Sequence, residues 1–506
     1  MTENPESSSS TVTRVVAWLL VAVVAIVVVC ALITNRNFWF DEAMVFQAIK
    51  EQPFLAPGQA LDHYEQALPY GVYAIFKGLV SVVGLNETIL RIPVLLAYVG
   101  GVAALWWASR SLTGLFGRAA AVLAGGLGMW VVLEAAMFKA YIFEYAVAAV
   151  LLALGWNLIA ERFSRASIWW FAGASVVSLL FSTTAPLATG SVALAVLVIA
   201  GFRMRDSLRA HRILLIATGV GYILVFAAYY LLVTKPSLVY QLSLPIYGAT
   251  GLGSAVTALA GIFAPTGKPV FLAFGVAIAA VIVVGAVLAR RWPLRSWYPF
   301  LALLVVVLVI AFGSVTRLAP FTASRQVLFA VPFIGLAFGA AAQAIRDALL
   351  PLLRRSTVLR VVAVALVCVV AAGFIGIAVF GAVSKHEEVG RILAANAGDC
   401  PVTYTDYSFQ PAAQMYVARD QLAIRLEGTV PTRSGSGHDG WFQRIRDDLP
   451  AYEQKAVDYF TANGSACLLT GPDATSDELV PQLRDAGFTC QAVDRLTGVG
   501  LYRCER

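Results

Sequence analysis

The sequence predicts a mostly α, polytopic membrane bundle of about eleven spans with a small extracytoplasmic α/β domain at its C-terminus. Three observations predict it. Of 506 residues, 59% are hydrophobic and only 13% charged, with a mean hydropathy of +0.76, far from the balance of a soluble domain. Apolar runs long enough to cross a bilayer recur from residue 12 to residue 383. The composition then turns polar over 384–506, where short β-prone and helical runs alternate.

Taken in order, residues 1–11 are polar and predicted to be disordered. The run 12–34 is too long for a signal-peptide core and shows no small-residue cleavage site before Asn35, which favours a signal anchor. Further runs follow near 91–110, 117–137, 141–160, 167–182, 185–202, 212–233, 269–289, 297–316, 325–345 and 358–383. The two flanking Ser182-Thr-Thr-Ala-Pro186 are short, and that segment reads as a tight break. Together 12–383 make one membrane domain. Arginines gather in alternate gaps between runs, as at Arg162 and Arg165, at Arg203, Arg205, Arg209 and Arg212, and at Arg346, Arg354 and Arg355. That is the positive-inside pattern. The net charge of +7 is therefore topological. It argues for a lipid bilayer as partner and against nucleic acid. With a cytoplasmic N-terminus, an odd span count places the loop 35–90 and the tail 384–506 outside. The Ala-, Val- and Arg-rich composition points to a bacterial plasma membrane.

The outer loop holds candidate helices near 41–52 and 64–83, separated by Pro53 and Pro57-Gly58. The second has the spacing of a helix lying along the membrane surface, with Tyr70, Tyr73 and Phe76 at headgroup depth. In the tail the β-prone runs are 401–404, 466–470, 488–490 and 500–503, the helical runs 412–419 and 476–486, and 432–440 reads as an exposed loop. Cys30 and Cys368 lie in spans as apolar fillers. Cys400, Cys467, Cys490 and Cys504 all fall in the tail, where an oxidising compartment favours two disulfides. Of the three pairings, Cys400–Cys467 with Cys490–Cys504 is preferred, because each pair flanks candidate neighbouring strands. A four-cysteine zinc site is the alternative, but no Cys-x-x-Cys spacing supports it.

The residues that carry chemistry begin with Asp41 and Glu42, just beyond the first span in Asn37-Phe-Trp-Phe-Asp-Glu-Ala43. Carboxylates at the hydrocarbon edge are costly and usually functional, although a solvated loop or a helix cap is the bland alternative. They suggest extracytoplasmic chemistry on a lipid-linked substrate. Arg91, Lys139 and Arg325 stand at the predicted outer ends of different spans, where simple anchoring to headgroups is the competing reading. His63 and Glu65 share the outer loop and are candidate ligands of a divalent cation, though two loosely spaced ligands are weak support. Tyr141 is a candidate substrate contact or an aromatic-belt residue.

The order of these motifs resembles the GT-C glycosyltransferases, in the branch of protein O-mannosyltransferases and lipid A aminoarabinose transferases. One span precedes the aromatic-Asp-Glu-Ala stretch; Leu68-Pro-Tyr-Gly-Val-Tyr73 follows, then Gly84, Glu87, Arg91 and Pro93 in a Gly-x-x-Glu-x-x-x-Arg-x-Pro pattern. Glu134 to Tyr141 resembles a Glu-Ala-Arg-x-Tyr motif with Lys139 in place of arginine, and 324–332 an Arg-Tyr motif with Gln326 in place of tyrosine. The usual His-Pro-Pro is replaced by His63-Tyr-Glu-Gln-Ala-Leu-Pro69. The likeness covers 30–150 and 324–335. It implies a polyprenyl-phosphate sugar donor and an extracytoplasmic glycan, glycolipid or protein acceptor. The chemistry of such a transfer makes Asp41 the candidate base of an inverting displacement, with Glu42 assisting it or holding an acceptor or a metal, and Arg91, Lys139 and Arg325 the candidates to neutralise the leaving phosphate. Two other classes compete: a lipid or glycan transporter or flippase, which would carry polar residues at broken helices, and an inactive scaffold whose tail binds a partner. Against the first, the chain has no duplicated halves and its charged candidates gather at one membrane face.

Overall fold

The computed structural model describes residues 5–33, 37–59, 61, 64, 67–112, 114–237, 251–262, 269–316, 324–384, 388–429, 449–471, 479–496 and 499–506. Helix α1 is Pro5–Ile33, so its backbone is already helical within the stretch 1–11 expected to be disordered. The stretch 35–90 contributes the helices α2 (Phe40–Glu51) and α3 (Tyr70–Val83). The latter starts at Tyr70 and not at 64, because Pro69 stands at its N-cap and biases Leu68 to extended backbone.

Helix α4 (Glu87–Ala108) opens on Asn86, whose side chain accepts from the Ile89 N–H at 3.0 Å, a standard cap for an orphan donor. The run 117–137 is not the single span expected. It divides into α5 (Leu115–Gly126) and α6 (Met129–Ala135) at Leu127-Gly128, where three glycines within four residues weaken the helix. Helix α7 (Tyr141–Ala160) follows a turn over 136–140. Beyond it, α8 (Arg165–Ser178) and α9 (Ala185–Arg203) flank the break at 182–184, with Pro186 in the first turn of α9. Longer helices follow at Arg212–Tyr229, Pro269–Leu288, Tyr298–Thr316, Val331–Arg355 and Thr357–Ser384.

Among the described residues, 7 helical segments are long and apolar enough to cross a membrane. Leucines and valines cover their outer faces, as at Leu224, Leu308, Val358 and Val362, all exposed. Water does not tolerate such a continuous apolar exterior, whereas lipid does; the chain is an integral membrane protein. Inside, α7 packs against α4 and α9, while Val331–Arg355 lies on α5 and on Pro269–Leu288. Glycines let the α5 pair approach closely: a Cβ added at Gly335 would stand 2.6 Å from the Cα of Gly125, and one at Gly339 would collide with the Gly117 carbonyl.

The tail builds one five-stranded sheet in the order β2-β1-β3-β5-β4, from β1 (Val402–Thr405), β2 (Arg425–Glu427), β3 (Ser465–Thr470), β4 (Thr489–Leu496) and β5 (Val499–Glu505). Strand β1 pairs in parallel with β2 and β3, whereas β5 runs antiparallel to β3 and β4. Strand β2 and the helix Leu449–Asn463 were not expected from the sequence. Disulfides join Cys400 to Cys467 and Cys490 to Cys504, the second across facing positions of β4 and β5. The helix Gln410–Asp420 presses on α2 and so ties the tail to the segment between α1 and α4.

Candidate active site

The site grows from the first turn of α2. Trp39 has extended backbone and begins the helix, and Asp41 and Glu42 occupy its first turn, where the helix dipole favours negative charge. One helical step apart, the two acids point to different surroundings. Glu42 is fully buried and has both oxygens occupied. Arg91 donates from Nε to Oε1 and from Nη2 to Oε2, each at 3.0 Å, a bidentate fork. The backbone N–H of Phe138 donates to Oε1 at 2.6 Å and that of Trp39 to Oε2 at 3.1 Å. The Arg91 guanidinium also lies 5.0 Å from the centre of the Phe38 ring. This network joins α2 to α4 and to the turn before α7.

Asp41 is instead 14% exposed at its side chain and faces two cations. Arg325 donates from Nη1 to Oδ2 at 2.5 Å, and the Lys139 ammonium stands 3.8 Å from the same oxygen. Arg325 comes from the short helical turn Ser324–Ala330 that precedes Val331–Arg355, and its guanidinium lies 5.5 Å from the centre of the Tyr141 ring. Lys139 comes from the turn between α6 and α7. Burial pulls its ammonium below the ordinary lysine value; Asp41 and Glu134 oppose that shift and Arg325 adds to it.

The structure thus brings Asp41, Lys139, Arg325 and Tyr141 together at one end of the bundle, although they lie as far as 284 residues apart. Glu42 and Arg91 sit beside them but turn onto each other. His63 and Glu65 lie outside the described residues. Among the described residues no three His, Cys, Asp or Glu side chains gather as a metal site.

The tail reaches this end as well. Tyr416 accepts from the Phe38 N–H at 2.5 Å and donates to Glu87 at 3.0 Å, and Arg419 donates to the same Glu87 oxygen at 2.8 Å. Tyr64 donates to Gln414 at 3.0 Å, and Gln47 donates to the Pro411 carbonyl. Lys77 of α3 fastens the other end of α2 by donating to the Ile49 carbonyl at 2.7 Å, where a helix favours a cation.

No protein-family model matches the chain, and no curated protein matches it. Solved structures do. The chain resembles the crystal structure of ArnT from Cupriavidus metallidurans bound to undecaprenyl phosphate, with TM-score 0.51 and 14% identity over 96% of this chain and 98% of that one. It resembles the apo state of the same protein with TM-score 0.52 and 13% identity over 97% and 98% of the two chains. At that identity the likeness is one of fold, and it extends over nearly the whole length of both chains, tail included.

Proposed function

We propose that this chain, which has the GT-C glycosyltransferase fold, moves a sugar from a polyprenyl-phosphate donor to an acceptor hydroxyl on the outer face of the membrane. One observation carries the reading: a partly exposed carboxylate, Asp41, is held between two cations at one end of an apolar bundle. A structural ion pair needs one cation. A site that binds an anionic phosphate and activates a hydroxyl needs a cluster of this kind. The ArnT structure that carries undecaprenyl phosphate is consistent with a lipid phosphate as the ligand.

The reaction follows from these groups. The donor phosphate displaces Asp41 from Lys139 and Arg325, which then neutralise it. Asp41, released, takes the proton of the acceptor hydroxyl as that oxygen attacks the anomeric carbon. The bond from that carbon to the phosphate oxygen breaks, and its electron pair leaves with the polyprenyl phosphate. A single displacement inverts the anomeric centre. Glu42 and Arg91 act as positioning residues, because their mutual fork fixes the turn of α2 that carries Asp41.

In this reading the eleven apolar runs within 12–383 form the membrane domain and 384–506 an outer domain, with the N-terminus cytoplasmic in a bacterial plasma membrane. The acceptor is a glycan, a glycolipid or a protein. The test is sugar transfer from a panel of polyprenyl-phosphate sugars by the purified protein in nanodiscs. Wild type is expected to give product from one donor, and Asp41→Asn to lose transfer by about 1000-fold or more while still binding polyprenyl phosphate. Unchanged transfer in Asp41→Asn would remove it as base.

A further inference from the structure

The tail reaches further into the site than a docking contact requires. Tyr416, on the helix Gln410–Asp420, is fully buried, and its one hydroxyl is used twice. It accepts from the backbone N–H of Phe38 at 2.5 Å and donates to Oε1 of Glu87 at 3.0 Å, which fills both roles of a phenol. The ring itself has no play. The Arg419 guanidinium lies 4.5 Å from its centre, and a Cβ added at Gly390 would stand 2.8 Å from its Cγ and Cδ1. Gly390 belongs to the tail helix Val389–Ala395, whose next residue, Arg391, donates its backbone N–H to the Asn37 side chain at 3.3 Å. Residues 37 and 38 are thus both held by the tail, just ahead of the turn that carries Asp41.

From Tyr416 two short chains of contacts lead to that turn. In the first, Glu87 opens α4, and Arg91, one helical turn on, holds Glu42 in its fork. In the second, the Phe38 ring lies against the Arg91 guanidinium and stacks on Phe138, with centres 5.5 Å and planes 4° apart, and the Phe138 N–H donates to Glu42. Both chains end on Glu42, the neighbour of Asp41. A tail that needed only an anchor already has one, in the contacts of Gln47 and Tyr64 with the same tail helix. Catalytic geometry needs more: a reacting group held by residues that are themselves fixed.

We infer that Tyr416 is a positioning residue: through Phe38 and Glu87 it sets the turn of α2 that presents Asp41. This rests on the transfer reading given under the proposed function and deepens it, by giving the tail a part in catalysis. Lys139 and Arg325 hang on other elements, so the donor phosphate keeps its cations when the link is cut.

The experiment measures kcat, donor KM and melting temperature of the full-length protein in nanodiscs, with the polyprenyl-phosphate sugar that wild type accepts from the panel. Tyr416→Phe removes the hydroxyl and keeps the ring. It is expected to lower kcat by about tenfold or more, with donor KM within about twofold. Gln414→Ala loosens the same helix at Tyr64 instead, and is expected to leave both constants within about twofold. Glu87→Gln weakens the link from the α4 side. Joined to Tyr416→Phe, it is expected to lower kcat by less than the product of the two single effects, since both act on one link. If Tyr416→Phe keeps kcat, whatever its melting temperature, Tyr416 only docks the tail and the proposal falls. It falls as well if Gln414→Ala lowers kcat equally, or if the Tyr416 and Glu87 effects simply multiply. No transfer by wild type from any donor of the panel is a different failure: it sinks the proposed function, and this inference with it.

Discussion

At the scale of single residues, Lys139 answers two demands that respond oppositely to pH. Burial lowers its pKa, so over a window below the ordinary lysine value the folded protein holds it neutral while the unfolded chain holds it charged. In that window the unfolded state binds more protons, and stability rises with pH. Affinity for a phosphate falls over the same window, because the cation is gone. Donor binding is therefore expected to weaken on the alkaline side without loss of stability. Lys139→Arg should keep its affinity there, as titration by calorimetry at stepped pH would show; an unchanged alkaline limb would assign it to another group. The Glu42–Arg91 fork makes a different prediction. Breaking a buried pair strands the partner charge, so Glu42→Gln is expected to cost about 3–5 kcal/mol in unfolding experiments. Arg91→Lys should not rescue the site, since an ammonium cannot reproduce the fork; near-wild-type stability in either variant would show that the pair does not hold α2. Asp41, Lys139, Arg325 and Tyr141 could each be named from the sequence by their place beside a span. The division of labour between Asp41 and Glu42 could not, because the partners of Glu42 lie 49 and 96 residues away.

At the scale of elements, the contact between α5 and Val331–Arg355 depends on missing side chains. Gly117 and Gly125 of one helix face Gly339 and Gly335 of the other, and an added Cβ has nowhere to go. Gly339→Val is expected to destabilise by about 1–3 kcal/mol through overpacking, read as a lower melting temperature in detergent, whereas Gly173→Ala, with open space around it, should be neutral. Helices were legible wherever an apolar run had clear ends, as for α4 with its Asn86 cap. The break between α5 and α6 was not, since its glycines sit inside an unbroken apolar run and hydropathy is blind to backbone preference. Strand β2 spans only three residues and pairs on one side, too short to leave an alternation.

At the scale of the whole molecule, the tail is closed by its own cross-links and then clamped to the loop that carries Asp41. The Cys400–Cys467 bridge closes a loop of 67 residues, and Cys400→Ser with Cys467→Ser is expected to cost about 2–5 kcal/mol in the tail. Limited proteolysis should then cut the tail first, while the membrane helices survive; equal resistance in the double variant would show that the sheet holds without the bridge. The clamp also sets a schedule. Phe38 and Glu87 are made early, but Tyr416 and Arg419, which hold them, are synthesised 378, 329 and 332 residues later. At roughly 5–20 residues per second that gap lasts on the order of tens of seconds. Throughout it the segment before α2 lacks its contacts with Tyr416 and Arg419, and Asp41 waits for Arg325 as well. A ribosome that stalls before Tyr416 thus leaves an unfinished catalyst, and a stretch made late is what completes one made early.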